Sequence, residues 1–260
     1  MKKFLPIIIA VIVVLILGIG GFLIIKSKKT SAPSTSKPQE EAIIETPLEE
    51  RPYVTLTPRA DGKEFTMDIE RIKNTQTVEY ELVYLSQGLS RGVIGSVDLK
   101  GETSISRKLL LGTCSKNVCK YDEGVTEGTL TLRFRGPEGT RKFTTEFHLQ
   151  RGDNELTSID GKFKLTGKLS GGAFYMTTST VGLPKEIEGK IIAGPYGVFT
   201  SGSETIKNGK ANLTLSEKPS LAKLYSWDGK DWNEEKSAKV EKEIISTPTD
   251  ILGTFIAVSP

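Results

Sequence analysis

Cys114 and Cys119 are the only cysteines in the chain, and Ser115-Lys116-Asn117-Val118 separates them. Two thiols so close, with no third thiol to compete, suit a disulfide staple in an oxidising compartment. Structural zinc takes about four ligands, and the chain adds only one histidine, His148, to the two thiols. A thiol redox centre has the spacing Cys-x-x-Cys, shorter than the spacing here. The expected pairing is a structural bridge that contributes about 2 kcal/mol for so short a loop.

His148 alternates with Phe147 and Leu149 and shares a polar strand face with Thr144, Glu146 and Gln150. It reads as a solvated strand residue. No serine nearby suggests a hydrolytic triad, and although carboxylate chemistry does not need histidine, no catalytic residue, metal site or cofactor is expected.

Tyr225, Trp227 and Trp232 fall close together around an Asp228-Gly229 turn. Flat aromatics so placed can stack on sugar rings, or they can pack as cross-strand pairs. Trp227 continues a strand in register with Tyr225, so the expectation is that it packs and that its truncation costs several kcal/mol. Asp228 and Asp231 read as turn residues rather than calcium ligands. Arg151-Gly152-Asp153 reads as a turn at a domain boundary, and Asn212-Leu213-Thr214, a glycosylation pattern inside a predicted strand, receives no role.

The elements that must position these residues are strands. In Phe65-Thr66-Met67-Asp68-Ile69-Glu70 apolar and polar residues alternate, as a strand with one wet face requires. Similar runs cover 76–85, 92–99, 103–111, 129–135 and 142–150, and the last two flank Gly136-Pro137-Glu138-Gly139 as a hairpin. After Arg151-Gly152-Asp153-Asn154 come 161–169, 173–181, 188–192, 210–215, 221–227, 240–246 and 253–258. Short strands at this spacing predict an all-β chain of two consecutive antiparallel sandwiches of immunoglobulin or fibronectin type. Their expected extents are 52–153 and 154–260.

The N-terminal part differs. Phe4 to Ile25 is free of charge and bracketed by Lys2 and Lys3 on one side and Lys26, Lys28 and Lys29 on the other. At about 1.5 Å per helical residue it spans a hydrocarbon core of about 30 Å. It is too long for a signal-peptide apolar region, and Lys26-Ser27-Lys28-Lys29 is no small-x-small cleavage site. Residues 1–26 therefore read as a cytoplasmic stub and transmembrane helix with the bilayer as partner through 4–25. Residues 27–51, rich in Ser, Pro, Lys and Glu, read as a disordered linker. Flanking charges do not decide orientation. The long body and the cysteine pair place the N-terminus in the cytoplasm and the body outside the cell membrane.

From residue 51 onward the chain carries 29 basic and 27 acidic residues. A near-neutral body without a basic patch argues against a nucleic-acid partner.

The stretch Leu224-Tyr225-Ser226-Trp227-Asp228-Gly229-Lys230-Asp231-Trp232, with Gly253-Thr254-Phe255-Ile256-Ala257-Val258 after it, resembles the closing module of many secreted bacterial β-sandwich proteins. In that module a Trp-Asp-Gly-x-x-Trp hairpin precedes a final Gly-Thr-Phe strand. The region Arg107 to Phe134, with Leu-Gly-Thr-Cys and Lys120-Tyr121-Asp122-Glu123-Gly124, is similar to uncharacterised single-pass extracytoplasmic proteins of small-genome bacteria. The resemblance implies fold and setting but no activity. The expected function is that of a structural or interaction module of the cell envelope, with an unknown envelope protein as partner. The alternative is glycan or cell-wall binding through the Tyr225, Trp227 and Trp232 hairpin.

Overall fold

The computed structural model describes residues 43–260 apart from Asn117 and Asp153. The expected membrane helix, and the linker up to residue 42, lie outside the described residues. Among the described residues no helix is long and apolar enough to cross a membrane.

Those residues form an all-β structure. Its first strands are β1 (Tyr53–Pro58), β2 (Glu64–Glu70), β3 (Thr77–Ser86), β4 (Leu89–Asp98) and β5 (Ile105–Leu110). A small hairpin follows, β6 (Gly112–Ser115) with β7 (Val118–Tyr121), then a long one, β8 (Glu127–Gly136) with β9 (Gly139–Arg151). The second half begins with β10 (Glu155–Thr157), β11 (Phe163–Lys168), β12 (Phe174–Ser179), β13 (Lys190–Thr200) and β14 (Thr205–Thr214). It ends with β15 (Lys223–Trp227), β16 (Trp232–Glu234), β17 (Lys239–Glu241), β18 (Ile244–Ile251) and β19 (Thr254–Ser259).

One nine-stranded sheet, ordered β16-β15-β19-β13-β12-β9-β8-β3-β4, runs through both halves of the chain. The strands β9 and β12 join the halves, with Leu149 opposite Met176 and Phe147 opposite Thr178. A three-stranded sheet, β1-β2-β5, accompanies the first half, and a five-stranded sheet, β10-β11-β14-β18-β17, accompanies the second.

Two apolar cores result. In the first, Val54, Leu56, Phe65, Met67 and Ile69 meet Leu82, Leu130, Leu132, Phe134, Phe143 and Phe147. The rings of Phe65 and Phe147 meet edge to face, 5.3 Å between centroids. In the second, Leu156, Phe163, Leu165, Leu213 and Ile245 meet Tyr175, Tyr196, Val198, Leu224 and Phe255. Phe163 stacks on Tyr196 at 5.5 Å and on Phe255 at 5.7 Å.

The cores lie on opposite faces of the shared sheet, and β12 shows how. Successive strand side chains point to opposite faces: Tyr175 belongs to the second core and Met176 to the first. The face that is wet in one half is therefore covered in the other. A third, smaller cluster of Leu183, Ile256 and Val258 covers the remaining face of the second half, with Leu48, Tyr225 and Trp232 packed against it.

The last residues of the expected linker lie against the body. Ile43 bridges in parallel to Thr140, and the Ile44 N–H donates to the Thr140 carbonyl at 3.0 Å. Thr46 is buried, Leu48–Glu50 make one 3-10 turn, and Arg51 Nε donates to the Thr46 carbonyl at 2.9 Å. The apolar residues Ile44 and Leu48 and this run of backbone bonds set 43–51 apart from the polar residues before them.

Several expected strands differ in extent, among them two in the second half. The strand expected at 188–192 continues to Thr200, through a register shift between Ala193 and Tyr196 where Gly194 takes φ +82°. The strand expected at 240–246 is split between β17 and β18 by a tight turn at Lys242-Glu243, with Lys242 at φ +58°.

Candidate binding cleft

Cys114 and Cys119 face each other in the β6–β7 register and are bonded, with an S–S distance of 1.99 Å. Their hairpin is mostly exposed. It is anchored at its base, where the Lys63 ammonium lies 4.8 Å from the Tyr121 ring centre. Beside it the Tyr84 hydroxyl donates to Asp122 at 2.8 Å, and burial together with that carboxylate pushes the phenol upward in pKa.

His148 is half-buried rather than freely solvated. Its Nδ1 lies 2.8 Å from the Thr157 carbonyl, so Nδ1 carries the proton in that bond. Gln150 donates to the same carbonyl at 3.1 Å and accepts from the Thr157 N–H at 3.0 Å. Both side chains clasp β9 to β10.

At the boundary turn, a Cβ on Gly152 would lie 2.1 Å from the Ser170 carbonyl oxygen. Only glycine fits there. Arg151 next to it holds its guanidinium over Phe174, 5.0 Å from the ring centre, while Asp153 lies outside the described residues. Asn212 sits in β14, as expected, with its amide toward the Lys164 carbonyl at 3.4 Å.

Trp227 and Trp232 are cross-strand partners whose rings meet edge to face, 5.4 Å apart at 66°. The turn between them is built by Asp228. Its carboxylate accepts from the Lys230 and Asp231 N–H groups and from Asn233 Nδ2, each at 2.8 Å. Those donors, the Asp231 N–H foremost, pull the Asp228 carboxyl down to about 2. The Asp231 carboxylate points out of the turn and pairs with Lys185 at 2.6 Å. Among the described residues no cluster of three or more His, Cys, Asp or Glu side chains is placed to hold a metal ion.

The two tryptophans differ in surroundings. Trp232 packs with Tyr225 on the Leu183, Ile256 and Val258 cluster, and its Nε1 donates to the Lys185 carbonyl at 2.8 Å. Trp227 walls a cleft of about 410 Å³, with Tyr53, Phe199, Glu70, Glu204 and Asp228 among its other lining residues. Thr57, Thr200 and Thr205 add hydroxyls. The Tyr53 hydroxyl is hydrogen-bonded to Thr254 at 2.9 Å, and burial pushes it up to about 12.

Tyr53, Glu70, Phe199 and Glu204 carry no signal in sequence, because three separate segments bring them to one opening. A second depression of about 520 Å³ is lined by Thr129, Glu146, Ser158, Asp160 and Tyr196. There Asp160 accepts from Ser158 at 2.5 Å and Tyr196 at 2.6 Å. Burial opposes its ionisation, yet these bonds hold its carboxyl below the ordinary range. The group is engaged in holding the 158–162 loop, since Asp160 also accepts from the Lys162 N–H at 3.0 Å. No protein-family model matches the chain, and no curated protein is significantly similar to it.

Proposed function

We propose that this chain is a membrane-anchored, extracytoplasmic binding protein, acting as a structural or interaction module of the cell envelope rather than as an enzyme. In this reading residues 4–25 cross the bilayer with the N-terminus in the cytoplasm, and the body forms two sandwich units that share a sheet. The observation that carries it is the cleft beside Trp227, an opening walled by aromatics and polar groups. The Cys114–Cys119 bridge supports an oxidising compartment. The test is made on intact cells. Protease added outside should digest the body, and the full-length chain should stay with membranes through a carbonate wash. Release of a shortened soluble chain, or protection of the body, overturns the topology.

One observation favours glycan or cell-wall binding as the second reading. Of the three hairpin aromatics, Trp227 lines the cleft, whereas Tyr225 and Trp232 pack on a buried cluster. Open pockets with a few aromatic walls and convergent polar groups are suited to ligands, and Trp227→Ala should then abolish retention on polysaccharide.

A further inference from the structure

We propose that the outer edge of β4 is a self-pairing surface, which takes the β4 of a second copy of this chain, antiparallel and with Ile94 opposite Ile94. The proposal is independent of the Trp227 cleft and gives the interaction module a partner. Its first ground is the way the sheets end. The edge strands β10, β16 and β17 have three residues each, β5 carries exposed Arg107 and Lys108, and the start of β1 is held by Thr180 and Val181. By contrast β4 ends the nine-stranded sheet with ten residues and neither lysine nor proline among them. Edges of chains that stay apart are blunted by short length, lysine, proline or a cover, and this one has none of these among the described residues.

The second ground is that the strand is complementary to itself. Ser86 and Leu89 close the β3–β4 hairpin around Gln87-Gly88, both at positive φ, and at the other end the Leu99 N–H donates to the Gln76 carbonyl. In a two-residue hairpin the closing pair exchanges both backbone bonds and the pattern then alternates, so the odd-numbered residues of β4 bond to β3. The N–H and C=O groups of Ser90, Gly92, Ile94, Ser96 and Asp98 point outward instead. A two-fold axis through Ile94, perpendicular to the sheet, pairs each of them with a member of the same set: Ser90 with Asp98, Gly92 with Ser96, Ile94 with its copy. No outward backbone group is left over along the seam.

Side chains and charges agree with that register. Ile94 is the most exposed large apolar side chain among the described residues, at 78%, and the second copy's Ile94 would meet it with only Gly92 and Ser96 beside it. On the opposite face Val93 meets Gly95, large against small on both sides of the axis. Residues 92–97 carry no charge, so like charges do not meet at the centre, and the Asp98 carboxylate falls opposite a Ser90 hydroxyl that can donate to it. Exposed Val83 and Leu85, on the same face of β3, lie directly behind the seam. Pairing consumes the long bare edge, so association closes at two copies instead of growing into a fibre.

The experiment follows the full-length protein in mild detergent by sedimentation velocity, and by cross-linking of single introduced cysteines with a short bismaleimide, which leaves the Cys114–Cys119 bridge untouched. The expected result is a concentration-dependent equilibrium between monomer and dimer. Ile94→Lys should weaken the dimer at least tenfold, and so should Ser90→Lys with Ser96→Lys. All three side chains are exposed, so both variants should melt with the wild type, and if one fails to fold the other carries the test. Ile94→Cys should cross-link to its copy. Ser90→Cys alone should not, because its two copies lie about 27 Å apart in this register at ~3.4 Å per residue, whereas a mixture with Asp98→Cys should give the mixed dimer. A wild-type chain that stays monomeric at every soluble concentration overturns the proposal, as does a dimer that both lysine variants leave unchanged. Cross-linking of Ser90→Cys to its own copy overturns the register.

Discussion

The hydroxyls of Tyr53 and Thr254 lie 2.9 Å apart although the residues are separated by 201 positions. Thr254 is fully buried and Tyr53 nearly so. The bond ties the first strand of the body to its last. It sits where the Val54 N–H donates to the Thr180 carbonyl at 3.1 Å and Tyr53 bridges to Val181, so the start of β1 touches the second half.

Tyr53→Phe removes one partner and leaves the Thr254 hydroxyl buried and unpaired. The expected loss is about 1–3 kcal/mol, read as a lower denaturation midpoint in urea with an unchanged slope. The phenol also predicts an alkaline limb. Its folded pKa is raised to about 12 from the ordinary 10, so its contribution is complete below about pH 10 and is lost as pH rises towards 12. Tyr53→Phe should shallow that limb, with Tyr84 and Tyr196, both pushed upward by burial first and then by a carboxylate, supplying the rest.

The disulfide hairpin is peripheral, and its loss should be mild. Non-reduced peptide mapping should recover Cys114 linked to Cys119. Cys114→Ser with Cys119→Ser should lower stability by about 2 kcal/mol or less, while Tyr53, Phe65 and Phe147 keep their native environment by NMR. Collapse of the fold in the double variant would contradict the surface position of β6 and β7.

The tryptophans should separate on truncation. Trp232→Ala removes packing on the Leu183, Ile256 and Val258 cluster together with the bond to the Lys185 carbonyl, and about 2–3 kcal/mol of lost stability is expected. Trp227→Ala removes mainly the edge-to-face pair, about 1 kcal/mol. Urea denaturation of the two variants side by side checks the ranking, and a larger loss for Trp227 would mean that its ring is core rather than cleft wall.

Asp228 predicts an acid-sensitive turn. Its folded pKa of about 2 is below the ordinary carboxylate value, so what it contributes is present above about pH 4 and lost as pH falls through 2. NMR should titrate this carboxyl near 2, with the Lys230 and Asp231 amides shifting at the same midpoint. A midpoint near 4 would show that the three donors do not hold it.

Much of the fold is legible in the chain because half-wet strands alternate. Leu130, Leu132 and Phe134, and then Phe147 and Leu149, are apolar at period two, and all are buried. Where strands are buried on both faces the alternation fades: in β13, Ile192, Ala193, Tyr196, Gly197 and Val198 are all covered. The strand passes through Gly194-Pro195 with a shifted register. Sharing of one sheet between the halves leaves no local trace, since Leu149 and Met176 meet only through tertiary pairing. The staple was legible from two cysteines at short spacing. The cleft was not, because Tyr53, Glu70, Phe199, Glu204 and Trp227 meet only once both halves are folded.

The pairing of β9 with β12 sets an order of events for a chain made from its N-terminus. Until residues 174–179 emerge, β9 is an open edge beside a core that still lacks Met176. Bare edges recruit foreign strands, and incomplete intermediates aggregate by that route. The nascent first half is thus a vulnerable species, which makes the second half its intramolecular chaperone. Chains truncated before Phe174 should be found in aggregates or degraded, whatever the stability of their own core.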